Sequence, residues 1–130
     1  MSEHLFTYGT LQPDLAPDEI AHIVRRFEVI GKGTVQGTLY DLGSYPGAVI
    51  DPACPRRIAG TVFRLPEDPS VLRHLDAYEE FYPELPEASQ FIRRIRPVQL
   101  TNGPVLDCWI YEYNRPPGRA PIVESGVFEP

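Results

Sequence analysis

A carboxylate held among apolar neighbours is a ready proton acceptor, and the segment HLDAYEEFYPELP, residues 74–86, contains one in that position. Just upstream, Asp68 can cap free backbone N–H groups and Pro69 at a first helical position forfeits no needed donor, so the sequence predicts a helix from about Ser70. At ~100° per residue, Val71, Leu72, Leu75 and Tyr78 share one stripe, with Arg73, His74, Ala77 and Glu80 on the other side. Glu79 falls angularly between Leu75 and Leu72, so it points with the apolar residues, whereas Glu80 points to water. An ionised carboxylate buried without partners is costly enough that it gains hydrogen bonds, raises its pKa or lines a wet cavity. A raised pKa suits a general base. The bland alternative is a helix that frays at Tyr78 and leaves Glu79 on a solvated turn.

A second stretch, LFTYGTL at residues 5–11, reads as a strand that ends in Tyr8-Gly9-Thr10-Leu11. Glycine tolerates the turn and lets a ligand approach the main chain, so successive backbone N–H groups there can hold a carboxylate. A plain turn is the alternative. Tyr8 either lines a cavity or packs structurally. No GxGxxG, Walker-type loop or GxSxG elbow occurs, and Gly31-x-Gly33-x-x-x-Gly37 lies inside strand-like sequence rather than before a helix. His4, His22 and His74 stand singly, and Cys54 and Cys108 form no CxxC pattern. No metal site is expected, and both cysteines are read as reduced thiols.

These groups must be positioned by a chain of 130 residues, the usual size for one domain, able to bury roughly two-thirds of its unfolded surface. A net charge of −6 and a pI near 5.0 argue against nucleic acid or an anionic membrane surface as partners. Small molecules or other proteins fit better. With no apolar run approaching ~18 residues and no secretory pattern at the N-terminus, the protein is expected to be soluble and cytoplasmic. His4 to Tyr8 reads as a strand, and Pro17 opens a helix in which Ile20, Ile23, Val24 and Phe27 recur on one face. From Phe27 to Tyr40, glycines among β-branched residues suit strands that bend or bulge. In LYDLGSYPGAVI, Gly43, Ser44, Pro46 and Gly47 are read as the turn between two strands. Arg57 to Leu65 is a further strand; Phe91 to Leu100 and Val105 to Tyr113 form a hairpin around Thr101-Asn102-Gly103-Pro104. Trp109, Tyr111 and Tyr113 share a strand face and are assigned to core packing. Residues 115–130, with four of the fifteen prolines, read as an irregular strap over a single domain of residues 1–130. The expected class is α+β: a small, mostly antiparallel, closed or curled β-barrel with about two flanking helices.

Together, LFTYGTL (5–11), GTLYDLGSYPG (37–47), LDAYEEFYPELPEASQFIRR (75–94), WIYEY (109–113) and IVESGVF (122–128) resemble, in order and spacing, the γ-glutamylcyclotransferase-like superfamily, including its AIG2-like group. The resemblance implies a small barrel with flanking helices and a cavity. It implies that Tyr8, Gly9, Thr10 and Leu11 bind the α-amino acid end of a γ-glutamyl substrate and that Glu79 is the general acid/base. The implied reaction is ring closure of the γ-glutamyl group to 5-oxoproline with release of an amine or amino acid, needing no cofactor. Arg93, in Ser89-Gln90-Phe91-Ile92-Arg93, matches a recurrent family arginine and is assigned to the substrate-binding set, pairing with a carboxylate; the alternative is a solvated strand face shared with Arg94 and Arg96. Two residues depart from the family pattern. Glu80 stands where glycine is usual and puts a second negative charge beside Glu79, and Phe91 stands where tyrosine is common. They motivate a rival reading, a catalytically silent small-molecule-binding module. The oligomeric state is left open, with a homodimer among the options.

Overall fold

The computed structural model describes residues 3–9 and 18–128. Its elements are β1 (His4–Thr7), α1 (Asp18–Val24), β2 (Glu28–Asp41), β3 (Pro46–Ile50), β4 (Arg57–Arg64), α2 (Pro69–Tyr78), a 3-10 turn (Pro86–Ala88), β5 (Phe91–Leu100) and β6 (Val105–Tyr113). The strands run in the order β3-β2-β4-β1-β6-β5, and β5 returns to pair with β2 through Gly33–Leu100 and Thr34–Gln99. Five strands, β2, β4, β1, β6 and β5, thus close a barrel, and β3 extends the sheet beyond that ring. Every pairing is antiparallel except β1 with β6, which run parallel at Leu5–Trp109. The α+β barrel with two helices anticipated from the sequence is therefore the architecture observed.

The period-2 alternation of strands distributes the core into two layers. Phe6, Val62, Cys108 and Ile110 meet inside the barrel with Val35, Leu39, Ile58 and Val98. Their sequence neighbours Leu5, Phe63 and Tyr111 turn outward and pack on Ile20, Ile23 and Val24 of α1 and Val71 and Leu75 of α2. Trp109 and Tyr113 join this outer cluster, as their shared face suggested. Cys54 and Cys108 are free thiols, and burial pushes the Cys108 thiol up to about 12.

The strands expected from Phe27 to Tyr40 are one long strand, β2, whose register shifts between Val29 and Gly31, the bulge that bends it. Pro46 and Gly47, expected in the turn, instead begin β3 opposite Asp41 and Tyr40. Proline is tolerated at the first residue of a strand, and the shorter link is closed by the Leu42 amide donating to the Tyr45 carbonyl at 3.0 Å. Phe27 lies beyond α1 yet stays buried, its amide donating to the Val24 carbonyl at 3.0 Å; Pro17 lies outside the described residues. After β6 the chain crosses back over the barrel. Asp41 N–H donates to the Pro121 carbonyl and Val123 N–H to the Leu39 carbonyl, both at 2.8 Å, and Ala59 N–H donates to the Gly126 carbonyl at 2.9 Å, so the segment laces β2 to β4. Among the described residues no helix is long and apolar enough to cross a membrane.

Candidate functional site

Helix α2 begins as its sequence dictates. The Asp68 side chain accepts from Ser70 N–H at 3.0 Å and Ser70 Oγ at 2.7 Å, with Pro69 as the first helical residue. These hydrogen bonds, with that from Arg26, hold the Asp68 carboxyl at about 2. The helix ends by a Schellman arrangement: Phe81 N–H donates to the Asp76 carbonyl at 2.8 Å, and Glu80 N–H to the Ala77 carbonyl at 3.2 Å. Glu80 occupies the left-handed position of that motif with φ +55°, the one non-glycine residue with positive φ among the described residues. This is the place where glycine is ordinarily favoured, so the departure of Glu80 from the family pattern has a geometric meaning.

Glu79 is the C-cap residue. The helix does stop at Tyr78, as the bland reading required, but the next turn is not a solvated one for Glu79. Its side chain lines a cavity of about 240 Å³ between three chain ends: Thr7, Tyr8 and Gly9 at the end of β1, Tyr45 and Pro46 at the start of β3, and Tyr78 to Glu80 at the end of α2. Gln90 and Phe91, where β5 begins, complete the wall. Burial pushes the Glu79 carboxyl from 4.5 up to about 7. The like charge of Glu80, which the sequence suggested as a further push, is not the cause; Glu80 is exposed. A carboxyl poised near neutrality in a partly enclosed space can take up and return a proton at physiological pH.

Tyr8 meets Glu79 across the cavity, but its phenol is already engaged. It donates to the Tyr111 carbonyl and accepts from Ala48 N–H at 3.3 Å, tying β1 to β6 and β3. Burial first, and the Glu79 charge second, raise its ionisation well above the usual phenol range. Gly9 abuts the Pro46 ring, where an added Cβ would lie 3.0 Å from Pro46 Cγ. Thr10 and Leu11 lie outside the described residues.

Arg93 is brought to α2 rather than to the cavity wall. Its Nε donates to Asp76 Oδ1 at 2.8 Å and its terminal nitrogen to Oδ2 at 3.1 Å, while the guanidinium lies 4.3 Å from the Trp109 ring centre. The Tyr111 hydroxyl also donates to Asp76 Oδ1, at 2.6 Å. Asp76 was missed by the sequence reading, although it sits four residues after Leu72 and so on the same side of the helix. Arg94 and Arg96 do not make a merely solvated face: Arg96 grips buried Glu112 through two bonds of 2.8 and 3.1 Å, with Arg94 at 3.5 Å. Two further cavity features were not legible beforehand. Gln90 donates to the Tyr45 hydroxyl, and the buried Thr7 Oγ1 has no hydrogen-bond partner among the described residues.

Comparison with known proteins gives one consistent result. The family described as gamma-glutamyl cyclotransferase, AIG2-like, matches residues 5–130. The gamma-glutamylcyclotransferase family protein YtfP of Escherichia coli K12 is 28% identical over 123 residues, covering 94% of this chain and 92% of that protein. Its solution structure superposes with a TM-score of 0.67 at 26% identity, over 96% of this chain and 95% of that one. The crystal structure of an AIG2-like protein from Mus musculus matches with a TM-score of 0.65 at 22% identity, over 85% of this chain and 76% of that one. YkqA of Bacillus subtilis shares the fold with a TM-score of 0.71 at 21% identity, this chain covering 40% of that longer one and 98% of itself being covered.

Proposed function

Because the chain belongs to the gamma-glutamyl cyclotransferase, AIG2-like family, we propose that it converts a γ-glutamyl amine, peptide or acyl derivative into 5-oxoproline by intramolecular aminolysis. The observation that carries this reading is the Glu79 carboxyl, poised at about 7 in a cavity that the end of β1 also lines. In the reaction the substrate's α-nitrogen forms a bond to its own γ-carbonyl carbon, and the bond from that carbon to the leaving nitrogen breaks. Glu79 takes a proton from the α-ammonium group and delivers it to the leaving nitrogen. The second proton, shed by the attacking nitrogen as the ring closes, follows the same route, so the products are 5-oxoproline and an ammonium ion, and no water is consumed. Nucleophile and electrophile share one short chain, so holding that chain folded supplies much of the acceleration. Backbone N–H groups from Gly9 to Leu11 are assigned to the substrate's α-carboxylate or to the oxyanion. Arg93 is assigned an anchoring part: paired with Asp76, it holds the last turn of α2, from which Glu79 projects.

The test is incubation of the purified protein with a panel of γ-glutamyl compounds and measurement of 5-oxoproline. The wild-type protein is expected to release it and Glu79→Gln to lose at least a hundredfold in rate, in line with the ~10²–10⁴ supplied by a positioned acid/base. Undiminished turnover by Glu79→Gln would remove Glu79 from the mechanism. The rival, a silent binding module, draws on Phe91, which lines the cavity without a hydroxyl. Any turnover by the wild-type protein rejects it.

A further inference from the structure

Resting on the cyclotransferase reading, we propose that Glu80 makes the cavity select γ-glutamyl derivatives whose leaving amine carries an additional positive charge, and disfavour those whose leaving group carries a carboxylate. Three observations lead to this. Two carboxylates, Glu79 and Glu80, line the cavity, while no lysine, arginine or histidine does so among the described residues. Arg93, two residues after the cavity-lining Phe91, is held in a two-bond pair with Asp76. The same cavity is lined by the aromatic residues Tyr45, Tyr78 and Phe91, and aromatic faces attract cations and offer nothing to an anion.

A separate observation says that the cavity is built for a polar occupant. Thr7, 4% exposed, lines the same space, and its Oγ1 has no hydrogen-bond partner among the described residues. A buried hydroxyl left unpaired is costly, and a ligand that enters the cavity with polar hydrogens or oxygens relieves that cost. The division of labour between the two carboxylates follows from exposure. Glu79 is the less exposed of the two and, on the cyclotransferase reading, serves the reacting nitrogens, whereas Glu80 is exposed and so is free to meet the part of a leaving group nearest solvent. Its backbone adds to the case. A non-glycine residue with φ +55° is strained, and glycine would end the helix without that strain, so the helix terminus itself gives no reason for a carboxylate at this position.

The experiment uses three γ-glutamyl amides of equal chain length, made from 1,4-diaminobutane, butylamine and 4-aminobutanoate, which end in a cation, a methyl group and an anion. Dissociation constants are measured by calorimetry on the full-length Glu79→Gln protein, where turnover does not interfere, and kcat/KM on the wild-type protein. The cationic amide is expected to bind roughly fivefold tighter than the neutral one, the range of an exposed charge pair, with the anionic amide weakest and the differences shrinking at high salt. Adding Glu80→Gln should bring the cationic-to-neutral ratio close to one, and Glu80→Lys should reverse the order. A ratio unchanged by Glu80→Gln, or preference for the anionic amide, overturns the proposal. If the three bind in the expected order but the wild-type protein releases no 5-oxoproline, the selectivity stands and the cyclotransferase reading falls. If all three are turned over with equal kcat/KM, the cyclotransferase reading stands and the selectivity falls.

Discussion

Glu79 owes its state to burial, and that makes it visible in two measurements. A carboxyl whose folded pKa lies near 7, above its ordinary 4.5, holds its proton more tightly folded than unfolded. The folded state therefore loses stability as pH rises from about 4.5 to about 7, with no further loss above that. The full penalty is on the order of 3 kcal/mol for a shift of this size. Glu79→Gln is expected to raise unfolding free energy by up to that amount at pH 8 and to leave it unchanged at pH 4, measured by urea denaturation. The same titration governs catalysis, because only the ionised carboxylate accepts a proton. For the wild-type protein kcat/KM should climb with pH and level off above about 7; a profile flat down to pH 5 would show that some other group is the base.

At the scale of elements, the cavity depends on where α2 stops and how its last turn is held. The Schellman bonds reverse the chain after Tyr78, and the Asp76 side chain pins that turn to β5 through Arg93 and to β6 through Tyr111. Both ion-pair partners are largely buried, with 10% and 16% of their side chains exposed. Removing one partner of such a pair strands the other, which costs about 3–5 kcal/mol, whereas removing both leaves no stranded charge. Arg93→Met should therefore destabilise the protein by at least ~3 kcal/mol, and Arg93→Met combined with Asp76→Asn should recover most of it. Equal destabilisation by the single and the double variant, in urea titrations, would show that the two side chains contribute independently.

At the scale of the whole molecule, β4 is the joint of the barrel, pairing with β1 on one side and β2 on the other. Gly60 sits at the tightest point of that joint. An added Cβ would lie 2.2 Å from the Thr7 carbonyl oxygen and 2.7 Å from Phe6 Cζ. Overpacking of this kind typically costs ~1–3 kcal/mol. Gly60→Ala is expected to lower the urea midpoint correspondingly and, because Thr7 opens into the cavity, to reduce 5-oxoproline release as well. Retention of both would show that β1 can shift without disturbing the site.

The features legible in the amino-acid sequence are those decided within a turn or two of chain. The Asp68–Pro69 entry, the stripe of Val71, Leu75 and Tyr78, the hairpin of β5 and β6 and the misplaced carboxylate of Glu79 all follow from periodicity, capping and turn chemistry, which act over a few residues. What only the tertiary structure decided is which side chains meet. Tyr8 donates to a carbonyl 103 positions away, and Arg93 finds Asp76 across 17 residues and an intervening loop. Those meetings are set by strand register and by the closure of β5 onto β2. A shift of one residue in either would turn each side chain to the opposite face of the sheet, so no local pattern could have told a cavity wall from an anchoring ion pair.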